Sequence, residues 1–271
     1  MEKRVEIAGV PFDPVTYDDA LSKLRSFMNS GQGVYITTPN PEMILRANKN
    51  SEFKKVLQSA ALSIPDGTGV LWASYYLSLP KHTSQFLNFL QALKTLLMIP
   101  FSPKTIRKIL PERVTGTDLF YHVIDESQKH RWRIFLLGAQ PGVAKKAIDS
   151  MIKKYPKAIF AGSYAGSPAK DEEQEICDMI NLAKPDILFV AYGSPAQELW
   201  ISRNLPKLHS IQVAVGVGGA FDFASGKIKR APKLLQVIGL EWLWRLAHEP
   251  ARIKRIWNAT FVFIKFIIGL K

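Results

Sequence analysis

Residues 187–204 read ILFVAYGSPAQELWISRN: a continuous apolar run, a Gly-Ser-Pro turn and then an amphipathic segment. A strand that is apolar at every position is typical of a parallel sheet covered on both faces. The turn residues interrupt the strand, and the segment Ala196–Asn204 then favours a helix. The stretch therefore predicts a strand, a loop and a helix, which is the repeating unit of an α/β fold.

The same alternation runs outward from this unit through the first 220 residues. It predicts an α/β fold with a Rossmann-like, mostly parallel sheet and helices on both faces, followed by a basic helical C-terminal appendage. The predicted strands are Val5–Val10, Val34–Thr38, Leu62–Ile64, Trp132–Leu137, Ala158–Ala161, Ile187–Ala191 and Gln212–Val217. The predicted helices are Tyr17–Met28, Pro41–Ala60, Thr68–Tyr76, Asp118–Lys129, Gly142–Tyr155, Asp171–Leu182 and Ala196–Asn204.

The net charge of +13 lies in two segments. Residues 81–113 carry six Lys/Arg and one acidic residue, residues 227–271 carry ten and two, and the rest of the chain is balanced. We therefore expect an α/β core at 1–226 that contains a basic, apolar insertion at about 80–113, and an appendage at 227–271. Local basic excess usually faces polyanions such as nucleic acid, anionic lipid or phosphate groups.

Both basic segments are also apolar. In the insertion, Phe86, Phe89, Leu90, Leu93, Leu96 and Leu97 share one helical face, and Ile256–Leu270 reads IWNATFVFIKFIIGL. Both runs are shorter than the roughly 20 apolar residues that span a bilayer. An apolar face beside Lys and Arg suits a helix lying in the membrane interface. A helix packed on the core or on another subunit is the alternative for both segments.

Ligands of open α/β sheets bind beyond the carboxyl ends of the strands, so the loops at those ends are the candidate site. Asp66 follows the predicted strand Leu62–Ile64 and precedes Gly67 and Gly69. It could cap the next helix, or it could serve as a general base at the strand end. A general base at this position would take the proton from a hydroxyl group that attacks a substrate. One carboxylate is enough for this when the leaving group departs without being protonated.

Other loop residues have two interpretations as well. Thr38 and Asn40 could cap the helix that begins near Pro41, or hydrogen-bond a substrate, and Gln197 has the same ambiguity. The turn Gly216-x-Gly218-Gly219 would let the backbone approach a phosphate closely, although it lacks the complete dinucleotide-binding pattern.

Three arginines of the tail, Arg245, Arg252 and Arg255, could share one helical face, although Pro250 interrupts the segment. Guanidinium groups bind phosphate oxygens bidentately and could neutralise a departing diphosphate. The alternative is a solvated or lipid-facing cationic surface.

The sequence gives no metal-ligand pattern: the five histidines are scattered and no D-x-D pair occurs. Cys177 is the only cysteine, and the first residues lack an apolar signal core, so we expect a reducing, cytoplasmic location.

At these loops the sequence resembles the WecG/TagA/CpsF glycosyltransferase family. The matching blocks are TTPNPEMI (37–44), IPDGTGV (64–70), ERVTGTDL (112–119), IFLLGA (134–139), AYGSPAQELW (191–200), GVGGAFDFASGKIKRAP (216–232) and GLEWLWRLAHEPARIKR (239–255).

The resemblance implies metal-independent, inverting transfer from a UDP-sugar, with no cofactor, to undecaprenyl-diphosphate-linked N-acetylglucosamine. N-acetylmannosamine is the donor sugar in one branch of the family, which makes teichoic acid, and its uronic acid is the donor sugar in another. The resemblance also implies an enzyme that is bound peripherally at the inner face of the cell membrane, touches anionic lipid, and forms a dimer.

By motif, Asp66 matches the proposed base of the family. Thr38, Asn40 and Gln197 match pocket residues, and Arg245, Arg252 and Arg255 match arginines of an appendage that closes the site. Gly138, at the end of the block IFLLGA, and Gly218 and Gly219 are further expected substrate-binding positions.

Two features depart from the family: about 30 inserted residues precede the ERV block, and Ala196 stands where a lysine is common. Transfer to another lipid-linked sugar, in capsule or exopolysaccharide synthesis, therefore stays open. Two other classes of protein are alternatives to the enzyme: a peripheral membrane scaffold with a non-catalytic core, and a nucleic-acid-binding protein. We expect no nucleic-acid partner, because the basic segments are unusually apolar for that task.

Overall fold

The computed structural model describes residues 3–232, 241–250 and 253–271. Its centre is a six-stranded sheet in the order β4-β3-β8-β7-β5-β6, in which every neighbouring pair is parallel. The strands are β1 (Val5–Ile7), β2 (Val10–Phe12), β3 (Val34–Thr37), β4 (Leu62–Ser63), β5 (Arg133–Gly138), β6 (Ile159–Tyr164), β7 (Ile187–Ala191) and β8 (Val213–Gly216).

The helices that alternate with the strands cover both faces of the sheet. They are α1 (Tyr17–Met28), α2 (Pro41–Ala47), α3 (Ser51–Ser59), α4 (Thr68–Ser78), α5 (Gln85–Phe101), α6 (Pro103–Ile106), α7 (Gly116–His130), α8 (Val143–Lys154), α9 (Glu173–Ala183), α10 (Ala196–Asn204) and α11 (Ala220–Ala224), with 3₁₀ turns at Lys170–Glu172 and Leu205–Lys207. The predicted α/β fold with a parallel sheet and helices on both faces is confirmed.

The C-terminal part of the chain is helical too. A helix spans Glu241–His248, and a longer one, which we call the terminal helix, comprises Ile253–Trp257, a π-helical segment Asn258–Val262, and Phe263–Gly269. Phe263 and Ile267 of the terminal helix are fully buried. They share a cluster with buried residues of β1, β2 and α2–α4, so the terminal helix packs on the same core as the first helices of the chain.

Two further clusters hold the sheet and its helices together. On one side Phe120 of α7 makes ring contacts with Phe189 of β7 and Phe221 of α11. The other cluster joins α9 and α10 to β5, β7 and β8 and contains Trp200. The apolar strands are buried between these layers, as the continuous apolar runs predicted.

Two predicted elements have the wrong form, and several others differ from the structure by one to three residues at their ends. The single strand predicted over Val5–Val10 is wrong: the antiparallel hairpin β1–β2 turns at Ala8 and Gly9, both with positive φ, outside the main sheet. The single helix predicted over Pro41–Ala60 is also wrong. The Asn50 side chain accepts a hydrogen bond from the Phe53 N–H at 2.9 Å, so Asn50 starts a new helix there.

The predicted insertion forms α5 and α6. The buried side chains of α5 are Asn88, Ala92 and Thr95, whereas the predicted apolar stripe lies largely on the exposed face of the helix. Within the described residues, no helix combines the length and the apolar character needed to cross a membrane.

Candidate active site at the carboxyl edge of the sheet

A cavity of about 610 Å³ lies where the carboxyl ends of the parallel strands meet. Its lining combines residues of loops that follow β3, β4, β5, β7 and β8. It also includes the first residues of α7 and Arg255 of the terminal helix. The lining residues used below are Thr38, Asn40, Asp66, Gly116, Thr117, Ala139, Gly193, Gln197, Gly216, Gly218, Gly219, Asp222, Lys227 and Arg255. The chain therefore gathers the predicted loops at one place.

Asn40 and Thr38 lie in the loop between β3 and α2. The Asn40 side chain accepts a hydrogen bond from the Met43 N–H at 3.0 Å, which makes Asn40 the N-cap of α2. The rest of the Asn40 amide borders the cavity. Thr38 is buried, and a Cβ built on Gly116 would lie 3.0 Å from its Oγ1, so glycine at 116 leaves the space that the Thr38 hydroxyl needs.

Asp66 lies in the loop between β4 and α4. Its backbone N–H donates to the Pro39 carbonyl at 3.1 Å, which ties this loop to the one that carries Thr38 and Asn40. The N-cap position of α4 belongs to Gly67, with φ of 107°, and α4 has no side-chain cap. The interpretation of Asp66 as a helix cap is therefore wrong, and its half-buried carboxylate borders the cavity.

Gln197 is buried and holds two loops together. Its Oε1 accepts hydrogen bonds from the Gly193 N–H at 3.2 Å and the Gly218 N–H at 3.1 Å. Its Nε2 donates to Glu198 Oε1 at 2.7 Å. A Cβ on Gly216 would lie only 2.6 Å from Gln197 Nε2, so glycine is required there. Gln197 borders the cavity, but most of its amide is occupied in positioning the loops after β7 and β8.

Glu198 carries a buried carboxyl group whose burial the sequence did not reveal. Burial raises the pKa of its carboxyl group above the ordinary value, against the hydrogen bond from Gln197, which lowers it. Its position next to Gln197 in the helical pattern was the only signal, and a pattern of that kind does not distinguish a buried carboxyl from a surface one.

The predicted glycines divide into two groups. Gly218 and Gly219 line the cavity, and the Gly218 N–H is already bonded to Gln197. Gly138 ends β5, and a Cβ there would lie 2.9 Å from the backbone of Ala191. The close approach of β5 and β7 therefore explains the glycine at 138, and the cavity lining along this loop begins with Ala139.

Arg255 is the tail arginine that the structure places at the site. It lines the cavity, and its Nε donates to Glu42 Oε2 at 2.9 Å. Glu42 also pairs with Arg46 at 2.7 Å, and Arg46 donates to the Ser194 carbonyl at 2.8 Å. The side chain of Arg245 and the whole of Arg252 lie outside the described residues.

Lys227 and Asp222 also line the cavity and form an ion pair of 3.3 Å. They lie in the block GVGGAFDFASGKIKRAP, of which only Gly218 and Gly219 are predicted to bind substrate.

A second cavity of about 520 Å³ adjoins the first. Asp66 and Thr117 border both cavities. The lining of the second cavity is mostly apolar and includes Trp72 of α4, Leu96, Ile99 and Pro100 of α5, and Ile256, Phe263 and Ile264 of the terminal helix. The Asp66 carboxylate thus stands where a polar cavity meets an apolar one.

The start of α7 is held by a polar cluster beside this junction. The Thr115 side chain caps α7 by accepting from the Asp118 N–H at 3.0 Å, and its Oγ1 donates to Asp118 Oδ2 at 2.7 Å. Tyr17 donates to Asp118 at 3.1 Å, and Arg230 forms an ion pair with Asp118. Burial would raise the pKa of Asp118, but the hydrogen bonds from Arg230 and Thr115 outweigh burial and hold the pKa below its ordinary value.

Burial and the neighbouring Asp118 raise the pKa of Tyr17 well above the ordinary value, so its phenol stays protonated and can donate. The cluster contains no candidate metal ligand set. In the part of the chain that the structure describes, no three His, Cys, Asp or Glu side chains come together as they would around a metal ion.

Known proteins that are similar to this chain belong to one family. The model of the glycosyl transferase WecG/TagA/CpsF family matches residues 5–95 and 100–270. The N-acetylglucosaminyldiphosphoundecaprenol N-acetyl-beta-D-mannosaminyltransferase of Bacillus spizizenii is 33% identical over 231 residues, which are 85% of this chain and 77% of that protein. The protein of the same name from Bacillus subtilis is 31% identical, over 86% of this chain and 78% of its own. The one from Staphylococcus aureus MRSA252 is 28% identical, over 93% and 88%.

Proposed function

This chain belongs to the WecG/TagA/CpsF family of glycosyltransferases, and from that premise we propose the reaction that it catalyses. We propose that it transfers N-acetylmannosamine, or a related hexose, from a UDP-sugar to undecaprenyl-diphosphate-linked N-acetylglucosamine. The similar proteins of both Bacillus species carry names that specify this sugar and this acceptor. The product would serve the synthesis of a cell-surface polysaccharide such as teichoic acid.

The single observation that carries the proposal is the position of Asp66 between a polar cavity and an apolar one. A nucleotide-sugar is polar throughout, whereas a polyprenyl-linked acceptor has a long hydrocarbon chain. Two adjoining cavities of opposite character match this pair of substrates. The acceptor hydroxyl and the anomeric carbon of the donor would meet beside the carboxylate that borders both.

In the proposed step, the acceptor hydroxyl attacks the anomeric carbon from the side opposite the diphosphate. A new carbon–oxygen bond forms, the bond from the anomeric carbon to the diphosphate oxygen breaks, and Asp66 takes the hydroxyl proton. UDP leaves with the bonding electrons, and the configuration at the anomeric carbon is inverted. Thr38 and Asn40 border the polar cavity and are available to hold the sugar.

We propose that protein groups supply the positive charge which the diphosphate requires, without a metal ion or cofactor. Arg255 and Lys227 line the polar cavity, where they pair with Glu42 and Asp222, and they would turn their charges toward the diphosphate. The helices α2, α7, α10 and α11 begin at residues in or next to its lining, and helix N-termini carry partial positive charge and free N–H groups. Arg245 and Arg252 would add to this charge as residues 227–271 close over the site.

We further propose that the enzyme works peripherally at the inner face of the cell membrane. A water-soluble donor and a lipid-anchored acceptor meet at a membrane surface. The terminal helix exposes Trp257 and Phe261, whose rings lie 4.5 Å apart, and these are side chains that favour the interfacial region of a bilayer.

The test is a UDP-release assay with several UDP-sugars and a synthetic lipid-diphosphate-N-acetylglucosamine acceptor, with and without EDTA. We expect UDP-N-acetylmannosamine to give acceptor-dependent, EDTA-resistant release and a product of inverted anomeric configuration. If UDP is released only with another UDP-sugar, that sugar is the donor and the proposed N-acetylmannosamine is not. Absence of release with every donor, despite membrane binding, would favour the membrane scaffold instead. Loss of activity with EDTA, restored by a divalent ion, would contradict the metal-independent mechanism.

A further inference from the structure

Helix α5 presents an apolar face to the surroundings. Phe86 is 66%, Phe89 51%, Leu93 46% and Leu97 56% exposed. Together with Leu90, these residues form what we call the α5 face. A contiguous exposed apolar stripe of this kind marks an interaction surface in a folded protein.

The orientation of α5 is fixed by specific contacts on its opposite side. Trp72 Nε1 of α4 donates to Thr95 Oγ1 at 3.0 Å, and the Tyr76 hydroxyl donates to the Asn88 carbonyl at 3.1 Å. Asn88 and Thr95 are buried. Turning α5 to bury its apolar stripe would break both hydrogen bonds and expose the polar partners, so the α5 face is directed outward by the fold itself.

The segment that carries the α5 face has charge of one sign only. Residues 81–111 contain no acidic residue and five basic ones, all exposed: Lys81, Lys94, Lys104, Arg107 and Lys108. An apolar helix face beside exposed cations fits an anionic bilayer surface, where the apolar side chains enter the acyl boundary and the cations meet lipid headgroups. Excess charge of one sign would oppose the pairing of two identical α5 faces.

The inner edge of α5 connects this surface to the site. Leu96, Ile99 and Pro100 line the apolar cavity together with residues of the terminal helix. Lys271, after the end of the terminal helix, also contacts α5: its Nζ donates to Gln91 Oε1 of α5 at 2.8 Å and to the Leu79 carbonyl, between α4 and α5, at 2.8 Å. The apolar cavity therefore lies between α5 and the terminal helix and reaches Asp66.

We propose that the α5 face docks on an anionic lipid bilayer, which places the apolar cavity between α5 and the terminal helix where the hydrocarbon chain of the lipid acceptor can enter. The docking follows from the α5 face and its charge alone. The role of the cavity rests on the proposed function. Docking through α5 would fix the height of Asp66 above the membrane for an acceptor that cannot leave it.

The experiment measures binding of the full chain to sedimented vesicles, without any sugar donor or acceptor. Vesicles contain phosphatidylcholine alone or with one quarter phosphatidylglycerol. The variant Phe89→Gln/Leu93→Gln/Leu97→Gln removes the centre of the α5 face. The matched control Ile152→Gln/Leu182→Gln changes exposed apolar residues of α8 and α9 instead. We expect wild type and control to bind the anionic vesicles equally, and the triple variant to bind about tenfold more weakly or worse.

A second variant keeps the test decisive if the triple variant is misfolded by circular dichroism. Lys94→Glu/Lys104→Glu changes only exposed charges, and we expect it to weaken binding to anionic vesicles at least fivefold. Undiminished binding by the folded variants would overturn the proposal. A second outcome would also overturn it. If the triple variant binds vesicles as wild type does but sediments as a monomer where wild type sediments as a dimer, then α5 joins two copies of the chain.

Transfer assays separate this inference from the proposed function. With the acceptor embedded in vesicles, we expect the triple variant to lose at least tenfold in rate; with a short-chain acceptor in solution, we expect it to match wild type. Equal losses on both acceptors would contradict a docking role. If wild type transfers to neither acceptor, the proposed function fails, while the vesicle measurement still decides whether α5 docks on lipid.

Discussion

Arg255 of the terminal helix donates from Nε to Glu42 Oε2 at 2.9 Å, across 213 positions of sequence. Glu42 is buried at the start of α2, directly after the loop that carries Thr38 and Asn40. The ion pair therefore fixes the beginning of the terminal helix beside the polar cavity, which Arg255 itself lines.

Replacing Arg255 tests whether this guanidinium serves transfer as well as structure. We expect Arg255→Gln to lower kcat/KM about 10- to 100-fold, because a charged hydrogen bond to a phosphate oxygen contributes about 1.5–3 kcal/mol. Arg255→Lys should recover part of the loss. The control is Arg46→Gln, which breaks the other ion pair of Glu42. It should cost similar stability in urea denaturation and leave transfer within about threefold. Equal kinetic losses in both variants would assign Arg255 a structural role only.

Asp66→Asn removes the proposed base and keeps its size and shape. We expect kcat to fall about 10²- to 10⁴-fold, the range that general base catalysis contributes. UDP affinity and the thermal unfolding midpoint should stay close to wild type. Asp125→Asn, at an exposed position of α7, is the matched control and should leave all three quantities unchanged. Full UDP release by Asp66→Asn with a lipid-linked acceptor would remove Asp66 from the mechanism.

Two substitutions at Asn40 separate helix capping from substrate binding. Asn40→Asp keeps an oxygen for the Met43 N–H, and Asn and Asp are comparable N-caps, so stability should change by less than about 0.5 kcal/mol. It also removes the amide donor from the cavity, and we expect KM for the donor sugar to rise. Asn40→Ala removes the helix cap as well, so besides the rise in KM it should lower the free energy of unfolding by about 1 kcal/mol. If Asn40→Asp transfers like wild type, capping is the whole role of Asn40.

Gln197→Ala should act mainly on stability. It leaves the half-buried Gly193 and Gly218 N–H groups without their acceptor and the buried Glu198 without its donor, and an unsatisfied buried group costs about 1–3 kcal/mol, so we expect a loss of about 2–3 kcal/mol in urea denaturation. Gln174→Ala, on the exposed side of α9, should cost less than about 0.5 kcal/mol. A stable Gln197→Ala variant that has lost donor binding would instead show direct substrate contact.

Because Asp118 forms an ion pair with Arg230, the free energy of unfolding should depend on pH in the acidic range. Because the pKa of Asp118 is lowered on folding, its contribution is complete above the unfolded pKa of about 3.9 and is lost as pH falls through the folded pKa. Urea denaturation of Asp118→Asn should therefore show a deficit of about 1–3 kcal/mol at pH 7 that shrinks below about pH 4. A deficit that grows on acidification would contradict this assignment; Asp125→Asn should show none.

The sheet could be predicted from sequence because its strands are uninterrupted apolar runs bounded by turn residues. The bounds predicted for Ile187–Ala191 and for the helix Ala196–Asn204 are those of the structure. The hairpin at Ala8 and Gly9 was missed because a single glycine in a short apolar stretch does not reveal a reversal of the chain.

The loops of the site were also predictable, since strands of a parallel sheet end at a common edge. The Glu42–Arg255 pair was not, because local patterns carry no information about contacts between distant segments. The outward orientation of α5 was not predictable either. The apolar stripe was visible in the sequence, but Trp72 and Tyr76, which hold the opposite side, decide where it points.

The two cavities that meet at Asp66 have walls that come mostly from different parts of the fold. Strand-end loops build most of the polar one, to which the terminal helix adds Arg255, whereas α4, α5 and the terminal helix build most of the apolar one. Mutations in one wall need not disturb the other. With the substrates bound as we propose, substitutions in the strand-end loops would change which sugar is transferred and leave the place of the hydrocarbon chain intact. Substitutions in α4 or α5 would adapt the enzyme to another lipid carrier and leave the sugar site intact.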